Sequence, residues 1–212
     1  MTALFDFDGV VMDTEELYTV FWDRIGEKYL GIKNLSPSIK GQTLSRIYDK
    51  YFAGKEEDQK IITRELNDYE KSMPYVPVKG AFEFIAELRK RGVATAIVTS
   101  SNKQKMENVY RHYPEFEELV GHIFTSEFVT RSKPDPQCFL NAMAALGAPV
   151  SETVVFEDSI NGLKAARASG AYVVGLLTSN PAEVVNQMCD YSIEDFTSFT
   201  PEELSKVSGI NF

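Results

Sequence analysis

Hydrophobic positions follow two rhythms along this chain, and the change of rhythm organises it. Beyond residue 80, short apolar runs alternate with stripes at helical spacing. Phe82, Ile85 and Leu88 form one stripe over residues 80–91, with Gly92 as its stop. Residues 93–98 read as a strand, 102–113 as a helix carrying Met106, Val109 and Tyr113, and 122–125 as a short strand. Asp135 and Pro136 read as the N-cap and first residue of a helix with Phe139, Met143 and Leu146, ended by Gly147. A strand over 153–156, a helix over 160–169 and a strand over 172–177 follow. Asn180-Pro181 and Thr200-Pro201 open two more helices, the second with Glu203 at N3 in a capping-box pattern. Repeated strand–helix units predict an α/β fold: a parallel sheet with helices on both faces.

Residues 14–77 break that alternation. Leu17, Val20, Phe21, Ile25 and Tyr29 form one helical stripe. Leu44, Ile47, Tyr48, Tyr51 and Phe52 form a second, and Ile61, Ile62, Leu66 and Tyr69 a third. No strand pattern lies among them, and Pro74 and Pro77 mark the return. The predicted organisation is an α/β core from 1–13 and 78–212, with a helical insertion over 14–77. An insertion at the carboxyl end of a strand lies where open α/β sheets bind ligands, so it can serve as a lid.

The first apolar run, Ala3-Leu4-Phe5, leads directly into Asp6-Phe7-Asp8-Gly9-Val10-Val11-Met12-Asp13. Alternate residues of an extended chain point the same way, so Asp6 and Asp8 share a face roughly 6–7 Å apart. Two carboxylates at the end of a buried strand need a cation or a proton to offset their repulsion. The pattern therefore suggests a metal site, an acid/base pair, or both. Asp-x-Asp-Gly also suits an ordinary turn. A calcium loop would want its glycine sixth and oxygen ligands at alternate positions, whereas here Gly9 is fourth and Val10, Val11 and Met12 follow.

Composition narrows the classes. The 212 residues are 43% hydrophobic and 25% charged, as in a water-soluble globular domain. A net charge of −9 argues against general nucleic-acid or anionic-membrane binding, so any affinity for phosphate must come from a local site. No apolar run reaches bilayer length and no basic, cleavable leader opens the chain, which sets the cytoplasm as the expected location and a monomer as the expected state. Cys138 and Cys189 are too few for a disulfide or zinc framework and are expected to be reduced packing residues. His112 and His122 have no partner at short spacing and receive no role.

Four segments, in order, resemble the motifs of the haloacid dehalogenase (HAD) superfamily of phosphatases and phosphomutases. They are Asp6–Thr14, Val98-Thr99-Ser100, Lys133-Pro134-Asp135-Pro136 and Phe156-Glu157-Asp158-Ser159. Each also has a plainer reading: Thr and Ser cap strand ends, a lysine before proline suits a solvated loop, and acidic residues suit a helix N-terminus. The insertion point after Thr14 is similar to that of the β-phosphoglucomutase-like subgroup with its helical cap. The resemblance implies a HAD-like Rossmannoid sheet and phosphoryl transfer through an aspartyl-phosphate.

It implies roles as well. Asp6 matches the nucleophile and Asp8 the general acid/base. Asp6, the backbone carbonyl of Asp8, Glu157 and Asp158 match the ligands of a Mg²⁺ cofactor, Glu157 directly or through water. Thr99 and the backbone N–H of Ser100 would donate to the phosphate, and Lys133 would neutralise Asp6 and the phosphoryl group. Asp13 is expected to brace the turn and Thr14 to cap the first helix of the insertion. Lys40, Gly41, Gln42 and Arg46 are candidate substrate contacts, with solvated surface charge as the other reading for Lys40 and Arg46.

The expected activity is Mg²⁺-dependent hydrolysis of a small phosphate monoester, such as a sugar phosphate. A sugar phosphomutase is the alternative. That subgroup's mutases carry a His early in the first cap helix and an Arg shortly after a Lys-Gly pair; Tyr18 and Leu44 stand there instead, with Arg46 nearby. A phosphate-binding protein without turnover would be expected to lack the nucleophile, the acid/base or the lysine, and none is missing.

Overall fold

A computed structural model describes residues 1–212. Six parallel strands form the sheet in the order β3-β2-β1-β4-β5-β6. They are β1 (Thr2–Phe5), β2 (Ala94–Val98), β3 (His122–Phe124), β4 (Thr153–Glu157), β5 (Tyr172–Leu176) and β6 (Tyr191–Ile193). Side chains alternate across β1: Ala3 and Phe5 join the apolar cluster on one face, Leu4 the cluster on the other. A slip of one residue would exchange these faces, so burial on both sides sets the register. Phe5 stacks on Phe156 of β4 with centroids 4.5 Å apart, and Phe84 meets Phe156 edge-on. The chain runs from β1 to β2 on one side and later returns to β4 on the other. This reversal makes a crevice at the carboxyl ends of β1 and β4.

Between β1 and β2 come α1 (Glu15–Leu30), α2 (Ser36–Ile39), α3 (Leu44–Tyr51) and α4 (Glu56–Ser72), then α5 (Ala81–Lys90) against the sheet. The first four enclose their own apolar cluster, with Phe21, Trp22, Ile25, Ile47, Phe52, Ile62 and Leu66. Tyr18 and Tyr69 pack against both this cluster and the sheet's. The sheet is completed by α6 (Lys103–His112), α7 (Phe116–Val120), α8 (Gln137–Leu146), α9 (Ile160–Ser169), α10 (Ala182–Val185) and α11 (Pro201–Ser208). No helix is long and apolar enough to cross a membrane.

Several local expectations need correction. Helix α8 starts at Gln137 with Pro136 as its cap residue, and Asp135 acts one position earlier by accepting from the Gln137 N–H at 3.0 Å. Thr14 takes the cap position of α1, yet its hydroxyl donates to Asp8 instead. Asp13, by contrast, braces the turn as expected, through its backbone N–H, which donates to Val76 O at 2.8 Å. Only half of the capping box at α11 forms: Thr200 accepts from the Glu203 N–H, while the Glu203 carboxylate accepts from Tyr191 Oη. Helices α2 and α7 and strand β6 were not expected, being too short to show a period.

Candidate active site

Asp6 follows the last residue of β1 and is 5% exposed. The Lys133 ammonium, 1% exposed, donates to Asp6 Oδ1 at 2.9 Å and to Glu157 Oε1 at 2.5 Å. Residues 127 and 24 positions apart are thus joined by one buried cation. Thr99, next after β2, accepts the Ser101 N–H at 3.0 Å, leaving its own proton free to donate. Ser100 points its hydroxyl at Gly41 O of the helical unit, 2.7 Å away.

Asp6, Glu157 and Asp158 bring carboxylate oxygens within 4.8 Å of one another, all buried. Local backbone makes this possible. Gly9 has φ +76°, and a Cβ there would lie 2.1 Å from Asp158 Oδ2. At Gly162, a Cβ would lie 1.8 Å from Glu157 Oε1. Glu157 is already well satisfied: besides Lys133, its Oε2 accepts the N–H groups of Asp158 and Ser159 and the Ser159 hydroxyl. Asp158 accepts from Ser179 through Oδ2, but its Oδ1 is buried without a partner. An orphaned carboxylate oxygen beside two further carboxylates is what a hard, oxygen-seeking cation requires. The donor set therefore fits a divalent metal, with Asp6 and Asp158 better placed to bind it directly than Glu157.

Asp8 lies on the same side as Asp6 but in different company. Its Oδ1 accepts from Thr14 Oγ1 and Lys105 Nζ, each at 2.5 Å, and its Oδ2 from Lys105 Nζ at 2.6 Å and Ser101 Oγ at 3.0 Å. The sequence reading missed Lys105. Its one signal was a lysine on the buried stripe of α6, one turn before Val109 and beside Met106. Glu70 was missed in the same way, one turn after Leu66 on α4. Its buried carboxylate accepts from Tyr18 Oη at 2.7 Å.

Asp6 and Asp8 line a cavity of about 360 Å³ between the sheet and the helical unit. Lys40, Gly41, Gln42 and Ser100 line it too, while Arg46 is exposed outside it. Lys40 is the chamber's one lysine or arginine, and it pairs with Glu15 at 2.8 Å. The turn 40–43 is tied to the sheet's loops. Asn161 donates to Lys40 O at 2.7 Å, Ser100 to Gly41 O, and the Thr43 N–H donates to Ser132 Oγ at 2.8 Å.

Burial pushes Asp6 from its ordinary 3.8 up to about 7, against the pull of Lys133. Lys133 is itself pushed up, held charged by Asp6 and Glu157 despite burial. Both rise: the ammonium gains from two carboxylates at once, whereas Asp6 has only a share of one ammonium, whose shorter contact is to Glu157, and burial outweighs that pull. Burial, then Glu15 and Glu157, push Asp158 up as well.

A folded-state pKa above the unfolded one means that the folded protein binds the proton more tightly. Asp6 therefore contributes stability that is full below 3.8 and is lost as pH rises through about 7. In chelator, acidification across that window should stabilise wild type relative to Asp6→Asn. Mg²⁺ should cancel the difference by favouring the charged form. Urea midpoints of both proteins at several pH values check this; parallel pH profiles in chelator would contradict it.

A family model described as haloacid dehalogenase-like hydrolase matches residues 1–170. The chain is 29% identical to validoxylamine A 7'-phosphate phosphatase of Streptomyces hygroscopicus subsp. limoneus, over 92% of this chain and 93% of that protein. It is 26% identical to β-phosphoglucomutase of Bacillus subtilis, over 91% and 92%. A family IA HAD hydrolase from Entamoeba histolytica has the same fold, with TM-score 0.83 and 23% identity over 98% and 99% of the two chains.

Proposed function

This chain belongs to the haloacid dehalogenase-like hydrolases, and from that premise we propose a Mg²⁺-dependent phosphatase acting on a small substrate with a single phosphate group: the phosphate monoester of a sugar or polyol. One observation carries the reading. Asp6 lines the chamber with one oxygen held by Lys133, and Asp8 lines the same chamber two residues on.

The Asp6 carboxylate attacks phosphorus, the bond from phosphorus to the ester oxygen breaks, and Asp8 gives that oxygen its proton. Water then attacks the aspartyl-phosphate and gives a proton to Asp8; inorganic phosphate leaves and Asp6 is free again. Lys133, the Thr99 hydroxyl and the Ser100 N–H supply positive charge and hydrogen bonds to the phosphoryl oxygens. Asp6, Asp158 and the Asp8 carbonyl would hold Mg²⁺, with Glu157 behind them, and the bound ion would supply further positive charge to the phosphoryl group.

Residues 14–77 act in this reading as a cap that excludes water, held down by the three hydrogen bonds to the turn 40–43. The chamber walls favour a leaving group rich in hydroxyls. Gln42 Oε1 is buried without a partner, and Glu15, Glu70 and Glu127 are also in the lining. A second phosphate would find only Lys40, already paired with Glu15. Similarity to β-phosphoglucomutase keeps a mutase as the second reading. The position of Arg46 outside the chamber favours hydrolysis.

A panel of phosphate esters with Mg²⁺ tests this. Sugar and polyol monophosphates should release inorganic phosphate, and chelation should stop the release. β-Glucose 1-phosphate with a trace of the 1,6-bisphosphate should not isomerise efficiently. Rapid isomerisation with little phosphate release would promote the mutase; full rate in chelator would remove the metal.

A further inference from the structure

A buried lysine that no motif accounts for touches the proposed acid/base. Lys105 is 1% exposed, and its ammonium lies 5.1 Å from the Phe7 ring centroid and 4.5 Å from that of Tyr18. Phe7 belongs to the sheet's own apolar cluster, whereas Tyr18 is on α1 of the helical unit. The ammonium is therefore enclosed on one side by the sheet domain and on the other by the element that closes the chamber. A buried ammonium without compensation is costly, and here the compensation is Asp8.

Geometry distinguishes Lys105 from the other donors to Asp8. Thr14 reaches only Oδ1 and Ser101 only Oδ2. Lys105 reaches both, at 2.5 and 2.6 Å, and also bonds to Ser101 Oγ at 3.0 Å. One donor on one oxygen leaves a carboxyl group free to turn about its last bond. A donor shared by both oxygens fixes the plane of the group. Proton transfer to a leaving oxygen depends on that plane, because the reacting atoms must come within hydrogen-bond reach and in line. Lys105 itself does not line the chamber, whereas Asp8 does.

We infer that Lys105 is a positioning residue for proton transfer, holding the Asp8 carboxyl group in the orientation from which it serves the leaving oxygen. The inference rests on the reading of Asp8 as acid/base. It also accounts for the placement of Lys105 on α6, a helix of the sheet domain: the clamp moves with Asp8 rather than with the cap.

The test compares two substrates in single-turnover experiments with Mg²⁺: the fastest sugar or polyol monophosphate of the panel, and p-nitrophenyl phosphate. The alkoxide leaving group needs a proton from Asp8; nitrophenolate does not. Lys105→Met keeps the length and apolar stem of the side chain but removes the clamp. It should lower the first-turnover rate on the alkyl ester by about a hundredfold, the scale of general acid catalysis. With enzyme in excess, release of nitrophenolate in the first turnover should stay within about threefold of wild type, and the enzyme concentration that gives half of the maximal first-turnover rate should change little for either ester.

Asp8→Asn is the reference and should show the same selectivity. Equal losses on both esters in Lys105→Met, or no loss on either, with Asp8→Asn selective, would overturn the inference alone. An unselective Asp8→Asn would remove the acid/base reading and the inference with it. Should Lys105→Met not fold, Ser101→Ala, which removes the hydroxyl that braces Lys105 Nζ and Asp8 Oδ2 against each other, carries the test. A several-fold selective loss on the alkyl ester supports the inference, and an unchanged ratio between the two esters overturns it.

Discussion

Asp6→Asn should lower turnover by roughly a thousandfold or more while leaving the protein folded. The amide has the shape of the carboxylate but neither its charge nor its nucleophilicity, so the first bond to phosphorus cannot form. Folding should survive for a reason visible in the site. Asp6 shares its one buried cation with Glu157, which has the shorter contact and keeps Lys133 paired when Asp6 becomes neutral. Burial already disfavours the charged form of Asp6, so removing that charge in the metal-free protein relieves a cost. Phosphate release measured with Mg²⁺, alongside urea unfolding, checks both halves. A folded Asp6→Asn protein with near-normal turnover would take the nucleophile role from Asp6.

Lys133→Met should be damaging in both respects. The ammonium is the sole buried cation touching Asp6 and Glu157, and methionine leaves those carboxylates facing each other in low dielectric. Removing one partner from a buried ionic cluster costs about 3–5 kcal/mol in stability. Turnover should fall by about a hundredfold or more, the scale of losing one preorganised charge at a transferring group. Mg²⁺ should recover part of the stability, because a divalent cation at Asp6 and Asp158 screens the same repulsion. The variant's unfolding midpoint should therefore rise more with Mg²⁺ than that of wild type. Wild-type stability of Lys133→Met in chelator would show that the cluster is neutralised by protons rather than by Lys133.

The longer elements were legible from local pattern because their causes are local. Over residues 160–169, helical spacing and a terminal glycine suffice: Ser159 caps the first turn and Gly170 ends the last in a left-handed conformation. The two short helices and β6 escaped because three to five residues do not establish a period. Strand β6 exists because the edge of β5 offers unpaired backbone groups to Tyr191–Ile193, a tertiary circumstance rather than a property of those residues.

Site residues divide along the same line. Asp6, Asp8, Lys133, Glu157 and Asp158 could be named from ordered motifs, since each occupies a fixed offset from a strand end or a helix start. Lys105 could not, because its significance is the distance from its ammonium to a carboxylate 97 residues earlier. The same holds for Glu70, whose partner Tyr18 is 52 residues away. Sequence alone also ranked Lys40 and Arg46 together as cap charges, whereas the fold puts one in the chamber wall and the other in solvent.

The amino-acid sequence by itself thus determined the alternation of strands and helices, the interruption by a helical unit after the first strand, and the four ordered motifs that resemble those of the haloacid dehalogenase superfamily. These follow from periodicity, caps and motif offsets, which act over a few residues. Only the tertiary structure decided which charges share a low-dielectric space. It joined Lys133 to Asp6 and Glu157, clamped Asp8 with Lys105, left Asp158 Oδ1 without a partner, and paired Lys40 with Glu15. The energy of each such contact depends on burial and on separations of a few ångströms between residues far apart in the chain.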